Sequence, residues 1–177
     1  MDHNGNRHTM NKLLRILRHC WIDESDVRRA ISADALARIG AQVANSERAH
    51  SGEFRVCIEA ALPLGDLWRG ATARKRAIAM FSTLRAWDTE HNNGVLIYLL
   101  FADRCIEIVA DRGLAQRVPA STWRNISDGL GTAFKAGDYE HGLLGAVDQV
   151  GAVLAKHFPA APTDPNPNEL PNEPDVR

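Results

Sequence analysis

The stretch from residue 95 to residue 110 constrains the fold more than any other. Val95-Leu96-Ile97-Tyr98-Leu99-Leu100-Phe101 is apolar at every position, which marks a strand covered on both faces, because a strand with one wet face alternates. Asp103-Arg104 reads as a tight turn, and Cys105-Ile106-Glu107-Ile108-Val109-Ala110 as the next strand. So short a connection permits only an antiparallel hairpin, since a parallel return needs about a dozen residues or more. Upstream, Phe54, Val56 and Ile58 alternate with Arg55, Cys57 and Glu59, a period-two strand expected to be more buried on one face than on the other. A helical stripe (Ala77, Met80, Phe81, Leu84, Trp87) separates it from residue 95, so the first two strands are expected to be parallel, with a right-handed crossover.

Helical periods flank this unit. Leu13, Leu17 and Cys20 suggest a short N-terminal helix. Ser32 is placed to cap a second, with Leu36, Ile39 and Val43 inward. Trp123, Ile126, Leu130 and Phe134 mark a third, with Pro119 near its start, and Leu143, Val147, Val150, Leu154 and Phe158 a last one. The expected fold is an α/β, three-layer α/β/α sandwich: a small mixed sheet, made of a parallel βαβ unit plus an antiparallel hairpin, with helices on both faces. Its expected divisions are an N-terminal helical extension over 1–31, an α/β domain over 32–158, and a tail over 159–177. The tail holds six of the eight prolines, and such a segment buries too little apolar surface to offset its ordering entropy. It is expected to be extended or disordered, with Leu170 and Val176 as the residues able to pin it.

A formal charge of −1 argues against a nucleic-acid binder with a general electrostatic footprint. The three cysteines are sparse and form no C-x-x-C pair, as in a reducing compartment. The N-terminus has no apolar stretch for a secretory leader, and the longest apolar run falls far short of the roughly 20 residues of a membrane span. A cytoplasmic location is expected. Lys12, Arg15, Arg18, His19, Arg28 and Arg29 make the N-terminal region basic, but Asp23, Glu24 and Asp26 interrupt it, so it reads as a solvated helix face.

Four blocks carry a resemblance to the TPM-domain family. They are Ser51-Gly52-Glu53-Phe54-Arg55-Val56, Asn93-Gly94-Val95-Leu96-Ile97, the run from Ile106 to Leu114, and the run from Phe134 to Leu143, in the family's order and at similar spacing. Asn168-Glu169-Leu170-Pro171 is similar to the end of a compact cytosolic bacterial branch. The resemblance implies a three-layer α/β/α domain. It also implies relatives as different as a thylakoid photosystem-repair factor reported as an acid phosphatase and a receptor-modulating protein. Some members bind calcium through acidic loop residues, yet here Asp111-Arg112-Gly113-Leu114-Ala115 lacks the acidic residue after leucine. The family's metal site is therefore not carried over.

The topology gathers chemistry at two edges. One holds Glu53, Asn93 and Asp111, a candidate oxygen-ligand site for calcium or magnesium, with Arg112 placed to neutralise a carboxylate. The other holds Asp66 and Asp103, at the carboxyl ends of the parallel strands where ligands of open α/β sheets sit; Arg104 is expected to pair with Asp103. Trp68, between two glycines, and Arg112 are candidate partner contacts; the remaining tryptophans read as core or rim anchors. Gly94, Gly113, Gly137 and Asp138 read as structural: Gly94 in a turn that needs positive φ, Gly137 as a helix C′ residue, and Asp138 as an N-cap. No H-E-x-x-H, P-loop or G-x-S-x-G occurs. The expected function is a non-catalytic binding or accessory module with a protein partner; the alternative is a weak metal-dependent acid phosphatase. Calcium or magnesium is the one cofactor that these readings name, no nucleic-acid partner is expected, and no oligomeric state is assigned.

Overall fold

In the computed structural model, residues 3–160 and 170–177 are described, with side chains from residue 12 onward. The remaining tail prolines (Pro162, Pro165, Pro167), Asn168-Glu169 and the first two residues lie outside the described residues. The elements run α1 (His3–Trp21), α2 (Glu24–Ala30), α3 (Ala33–Ser46), a 3-10 turn (Glu47–Ala49), β1 (Phe54–Glu59), α4 (Leu64–Trp68), α5 (Ala73–Thr83), β2 (Val95–Leu100), β3 (Cys105–Ala110), α6 (Arg112–Ala115), α7 (Ala120–Lys135), α8 (Tyr139–His157) and β4 (Asp175–Val176).

The sheet order is β3-β2-β1-β4. β1 and β2 are parallel in the register Phe54↔Val95 to Glu59↔Leu100, and β2 and β3 form the expected antiparallel hairpin, Val95↔Ala110 to Leu100↔Cys105. Side chains sort by parity. Phe54, Val56, Ile58, Val95, Ile97, Leu99 and Ile108 enter one core with α2, α3, α7 and α8. Cys57, Leu96, Tyr98, Leu100 and Val109 enter a second core with α4 and α5. The period of two in each strand thus feeds two layers.

Local chemistry sets the helix ends. The Ser32 hydroxyl accepts from Ala35 N–H at 3.2 Å to start α3, and Asp23 with Asp26 forms a capping box on α2. Gly137, at φ 79°, ends α7 in the left-handed conformation that glycine adopts freely.

Several expectations need correction. β1 is buried on both faces: Phe54, Val56 and Ile58 lie in one core and Cys57 in the other, while Arg55 bonds the Pro171 carbonyl and Glu59 takes Arg76 and the Tyr98 hydroxyl; β4 lies parallel along its outer edge. β4 itself is a fourth strand that the periodicity did not contain. Leu170 and Val176 do pack against the two cores. The Leu13, Leu17 and Cys20 stripe forms a helix but faces outward: Leu13 and Leu17 are 58% and 49% exposed, and Cys20 is exposed. Trp21, Trp68 and Trp87 also stand at the surface.

Asp138 occupies the N-cap position of α8, yet its side chain makes no capping bond; its carboxylate instead pairs with His141 at 2.8 Å. In the turn before β2 the positive φ falls on Asn92 (51°) rather than on Gly94. Gly94 is required for a different reason: a Cβ there would lie 1.6 Å from the Ala86 carbonyl oxygen. Gly113 is similar, with the Asn92 oxygen 2.5 Å from a Cβ position.

Candidate functional site

The amino ends of β1 and β2 and the carboxyl end of β3 meet at one sheet edge. Val95 N–H donates to Glu53 O and Asp111 N–H to Gly94 O, both at 2.9 Å, and Gly113 N–H donates to Asn92 O at 3.0 Å. These backbone bonds bring Glu53, Asn93 and Asp111, named from the sequence, to adjacent positions. Glu53 and Asn93 are buried, at 2% and 0% exposure.

Asn93 Nδ2 donates to Ser51 Oγ at 3.3 Å, and Asn93 N–H donates to Thr89 Oγ1 at 3.1 Å. Asp111 Oδ1 accepts from Arg112 N–H at 2.7 Å and so caps α6. Asn93 Oδ1 and Asp111 Oδ2 are left: both are buried and neither has a hydrogen-bond partner. Buried polar atoms are nearly always satisfied, so two leftover acceptors on one edge are the most informative feature of this region. Arg112, expected to neutralise a carboxylate, donates instead to Asn92 Oδ1 at 2.9 Å and remains exposed.

Beneath this edge lie two ionisable side chains the sequence did not single out. The Glu47 carboxyl accepts from Phe54 N–H at 3.3 Å. Burial, and then the neighbouring Glu53 carboxylate, push it up from 4.5 to about 8, against the pull of the Phe54 N–H and Arg55. His50 Nδ1 lies 2.9 Å from Gly52 O, a pure acceptor, so Nδ1 carries the proton and Nε2 accepts from Ser46 Oγ at 3.2 Å. Burial pushes His50 down to about 4, and it is neutral at pH 7.

The opposite edge is dominated by ion pairs. Glu59, the last residue of β1, takes a two-pronged contact from Arg76 at 2.5 and 2.9 Å and accepts from the Tyr98 hydroxyl at 2.6 Å. Asp66 pairs with Arg69 at 2.7 Å and Arg76 at 3.4 Å. Asp103 is held by Arg15 at 2.8 and 3.0 Å and by His19 at 3.0 Å rather than by the expected Arg104, which sits in the turn at φ 51°. Burial alone would raise the Asp103 carboxyl, but hydrogen bonds from Arg15 and His19 outweigh it and hold the group below its ordinary value. His19 Nδ1 accepts from Leu62 N–H at 2.9 Å, so Nε2 is the donor to Asp103.

Asp66 and Asp103 are thus each committed to arginine, and Asp103 anchors α1 to the domain. The signal for this was present as Arg15 and His19, an i, i+4 pair on the face opposite the leucines, but nothing in the sequence named Asp103 as their partner. A cleft of about 900 Å³ also opens at this end, lined among others by Arg18, Phe101, Arg104, Phe134, Lys135 and Tyr139.

Among the described residues, no group of three or more His, Cys, Asp or Glu side chains is arranged to hold a metal ion. The Asn93 and Asp111 edge therefore offers an amide oxygen and carboxylates rather than a dense acidic cage. Among the described residues no helix is long and apolar enough to cross a membrane.

Residues 25–153 match a family model described as the TPM domain. No curated protein matches the chain. Among solved structures, the NMR structure of BA42 protein from the psychrophilic bacterium Bizionia argentinensis is 28% identical, with a TM-score of 0.71, over 82% of this chain and 94% of that chain.

Proposed function

This chain belongs to the TPM-domain family, and from that premise we propose that it is a non-catalytic binding module whose polar edge takes up a hard cation. The observation that carries this reading is the pair of buried, unpartnered oxygens Asn93 Oδ1 and Asp111 Oδ2. Calcium and magnesium select such oxygen donors. Glu53, Asn93 and Asp111 would hold the ion, with water completing its shell. Two carboxylates and an amide are fewer than the six to eight oxygens that calcium takes, which places the site in the weak class, with Kd on the order of 10⁻⁴–10⁻³ M.

The same surroundings favour binding over turnover. Phosphoester hydrolysis needs an activated nucleophile or a metal-activated water with a base to receive the proton. His50, beneath this edge, spends both ring nitrogens on Gly52 and Ser46, and Asp111 Oδ1 is spent on the α6 cap. The exposed Trp68 and Arg112 are the surfaces offered to a partner protein.

Thermal melts with CaCl2 or MgCl2 up to 10 mM test the reading. A Kd near 1 mM gives a rise of about 3–5 °C for a chain of this length, and Asp111→Asn, which keeps the helix cap, removes it. No rise at 10 mM sinks the cation reading. Turnover of 4-nitrophenyl phosphate that calcium or magnesium stimulates, and that Asp111→Asn abolishes, replaces it with the phosphatase.

A further inference from the structure

The cleft beyond the carboxyl end of β2 plays no part in the cation reading. Its volume of about 900 Å³ falls in the range of about 300–1,000 Å³ common for small-molecule sites. It opens on the side of the sheet where open α/β folds take their ligands. Asp66 and Asp103, the carboxylates expected to act there, are closed off by arginine. What faces the cleft is an apolar floor and a basic rim.

Ile22, Phe101, Ile106, Phe134 and Tyr139 form the floor, and each is only partly buried against the larger core. The Tyr139 ring centroid stands 5.8 Å from that of Phe101 and 4.7 Å from that of Phe134, edge-on to the latter, an arrangement that a further ring can extend. Gly131 keeps the α7 wall open: apart from its own helix, a Cβ there meets only Ile106 Cδ1, at 3.7 Å. A helix interior disfavours glycine, and here its effect is to leave the space unfilled. On the rim, Arg18, Arg104 and Lys135 face a single carboxylate, Asp128, and all four are exposed. Arg18 spends one nitrogen on Ala102 O at 3.2 Å. Among the described residues the side chains of Arg104 and Lys135 have no hydrogen-bond or ion-pair partner, because the adjacent Asp103 is already taken by Arg15 and His19. Arg104 also holds φ 51°, a conformation that glycine adopts freely and that a Cβ opposes. The turn alone therefore favours glycine, whereas the rim gains a cation from arginine.

We propose that this cleft binds a small amphiphilic anion, with an aromatic or aliphatic body on the apolar floor and a carboxylate or phosphate head at Arg104, Arg18 and Lys135. The planar guanidinium fork fits both kinds of head with paired hydrogen bonds. A neutral apolar molecule leaves the free cations unused, and a cation meets three like charges for one carboxylate. The cleft lies at the opposite end of the strands from Asn93 and Asp111, so it stands or falls independently of the metal reading.

The test is an NMR chemical-shift titration of the isotope-labelled full chain. Phenylbutyrate and phenylbutyl phosphate present the two heads, phenylbutanol lacks the charge, and acetate and inorganic phosphate lack the body. At least one of the two amphiphilic anions is expected to move the amides of Arg104, Gly131 and Gly137 with a Kd of about 1 mM or tighter, and the tighter of the two identifies the head. The alcohol and the bare anions are expected to bind at least about fivefold more weakly. Arg104→Gly is expected to weaken the anion by about fivefold or more, while its thermal midpoint stays at or above wild type because glycine relaxes the turn. Asp128→Asn tightens binding, and Gly131→Phe, whose ring fills the cleft, abolishes it in a chain that stays folded. Three results overturn the proposal: no movement of those amides at about 10 mM of either amphiphilic anion, phenylbutanol binding as tightly as the anions, or Arg104→Gly titrating like the wild type.

Discussion

Glu47 and His50 titrate in opposite senses beneath the start of β1. Unfolded, His50 takes a proton near 6.5; folded, it does so only near 4. Its contribution is present above pH 6.5 and is lost as pH falls toward 4. Glu47 is the reverse: it ionises near 4.5 when unfolded and near 8 when folded, so the native state binds the extra proton and stability falls as pH rises through that range. The two slopes offset each other up to pH 6.5. Above it Glu47 acts alone, and wild-type stability is expected to drop by about 2 kcal/mol between pH 6.5 and 8, at roughly 1.4 kcal/mol per unit. Urea melts at those two pH values check this; Glu47→Gln flattens the difference, and an equal drop in the variant refutes the assignment. Measuring no higher keeps clear of the Cys57 thiol, which burial pushes up to about 12. These groups were illegible in the sequence because a charged residue outside a motif reads as solvated, and only the tertiary fold buries Glu47 and His50. Glu53, Asn93 and Asp111 were legible because topology alone sends them to one edge.

At the scale of single elements, periodicity tells which residues share a face and says nothing about which way the face points. That distinction separates α3 from α1. In α3 the stripe Leu36, Ile39 and Val43 is buried as its spacing predicts; in α1 an equally regular stripe is outward, because Asp103 and the Leu62 N–H supply partners for the polar side instead. Caps divide in the same way. Ser32 makes the backbone bond that its position predicts, whereas Asp138, in a motif that reads equally well, bonds the exposed His141. Ser32→Ala is therefore expected to cost about 1 kcal/mol, and Asp138→Ala less than about 0.5 kcal/mol, in the range of an ordinary surface substitution. Paired denaturant melts compare them, and an equal loss in both would mean that Asp138 caps α8 after all.

For the molecule as a whole, the hairpin fixed the architecture early: a strand apolar on both faces needs two covering layers, and both cores are built around it. What the sequence could not reveal was how β1 loses its free edge. Ala60 N–H donates to Arg177 O at 2.7 Å and Arg177 N–H to Ile58 O at 3.0 Å, so Asp175 and Val176, each 118 positions from its partner in β1, complete the sheet. No local pattern encodes that pairing; Asp175 and Val176 are too few to show a period. The segment also lies beyond the part that matches the family model, which ends at 153, yet it is tied in by more than the ladder. The Arg55 guanidinium, 6% exposed, bonds the Pro171 carbonyl, and a Cβ on Gly40 of α3 would come within 3.3 Å of Glu173 Cα. Deleting residues 170–177 would strip these contacts together, leaving a buried cation without its carbonyl, which costs several kcal/mol, and a row of open β1 backbone groups that invites edge-to-edge association. The truncated chain is expected to lose about 3 kcal/mol or more in urea melts and to scatter light on warming where the full chain stays clear. Arg177→Ala, which keeps the backbone pairing, is expected to lose less than about 1 kcal/mol. If the truncated chain melts at the wild-type midpoint, β4 does not hold the sheet edge, and β1 must be closed by something other than the chain's own end.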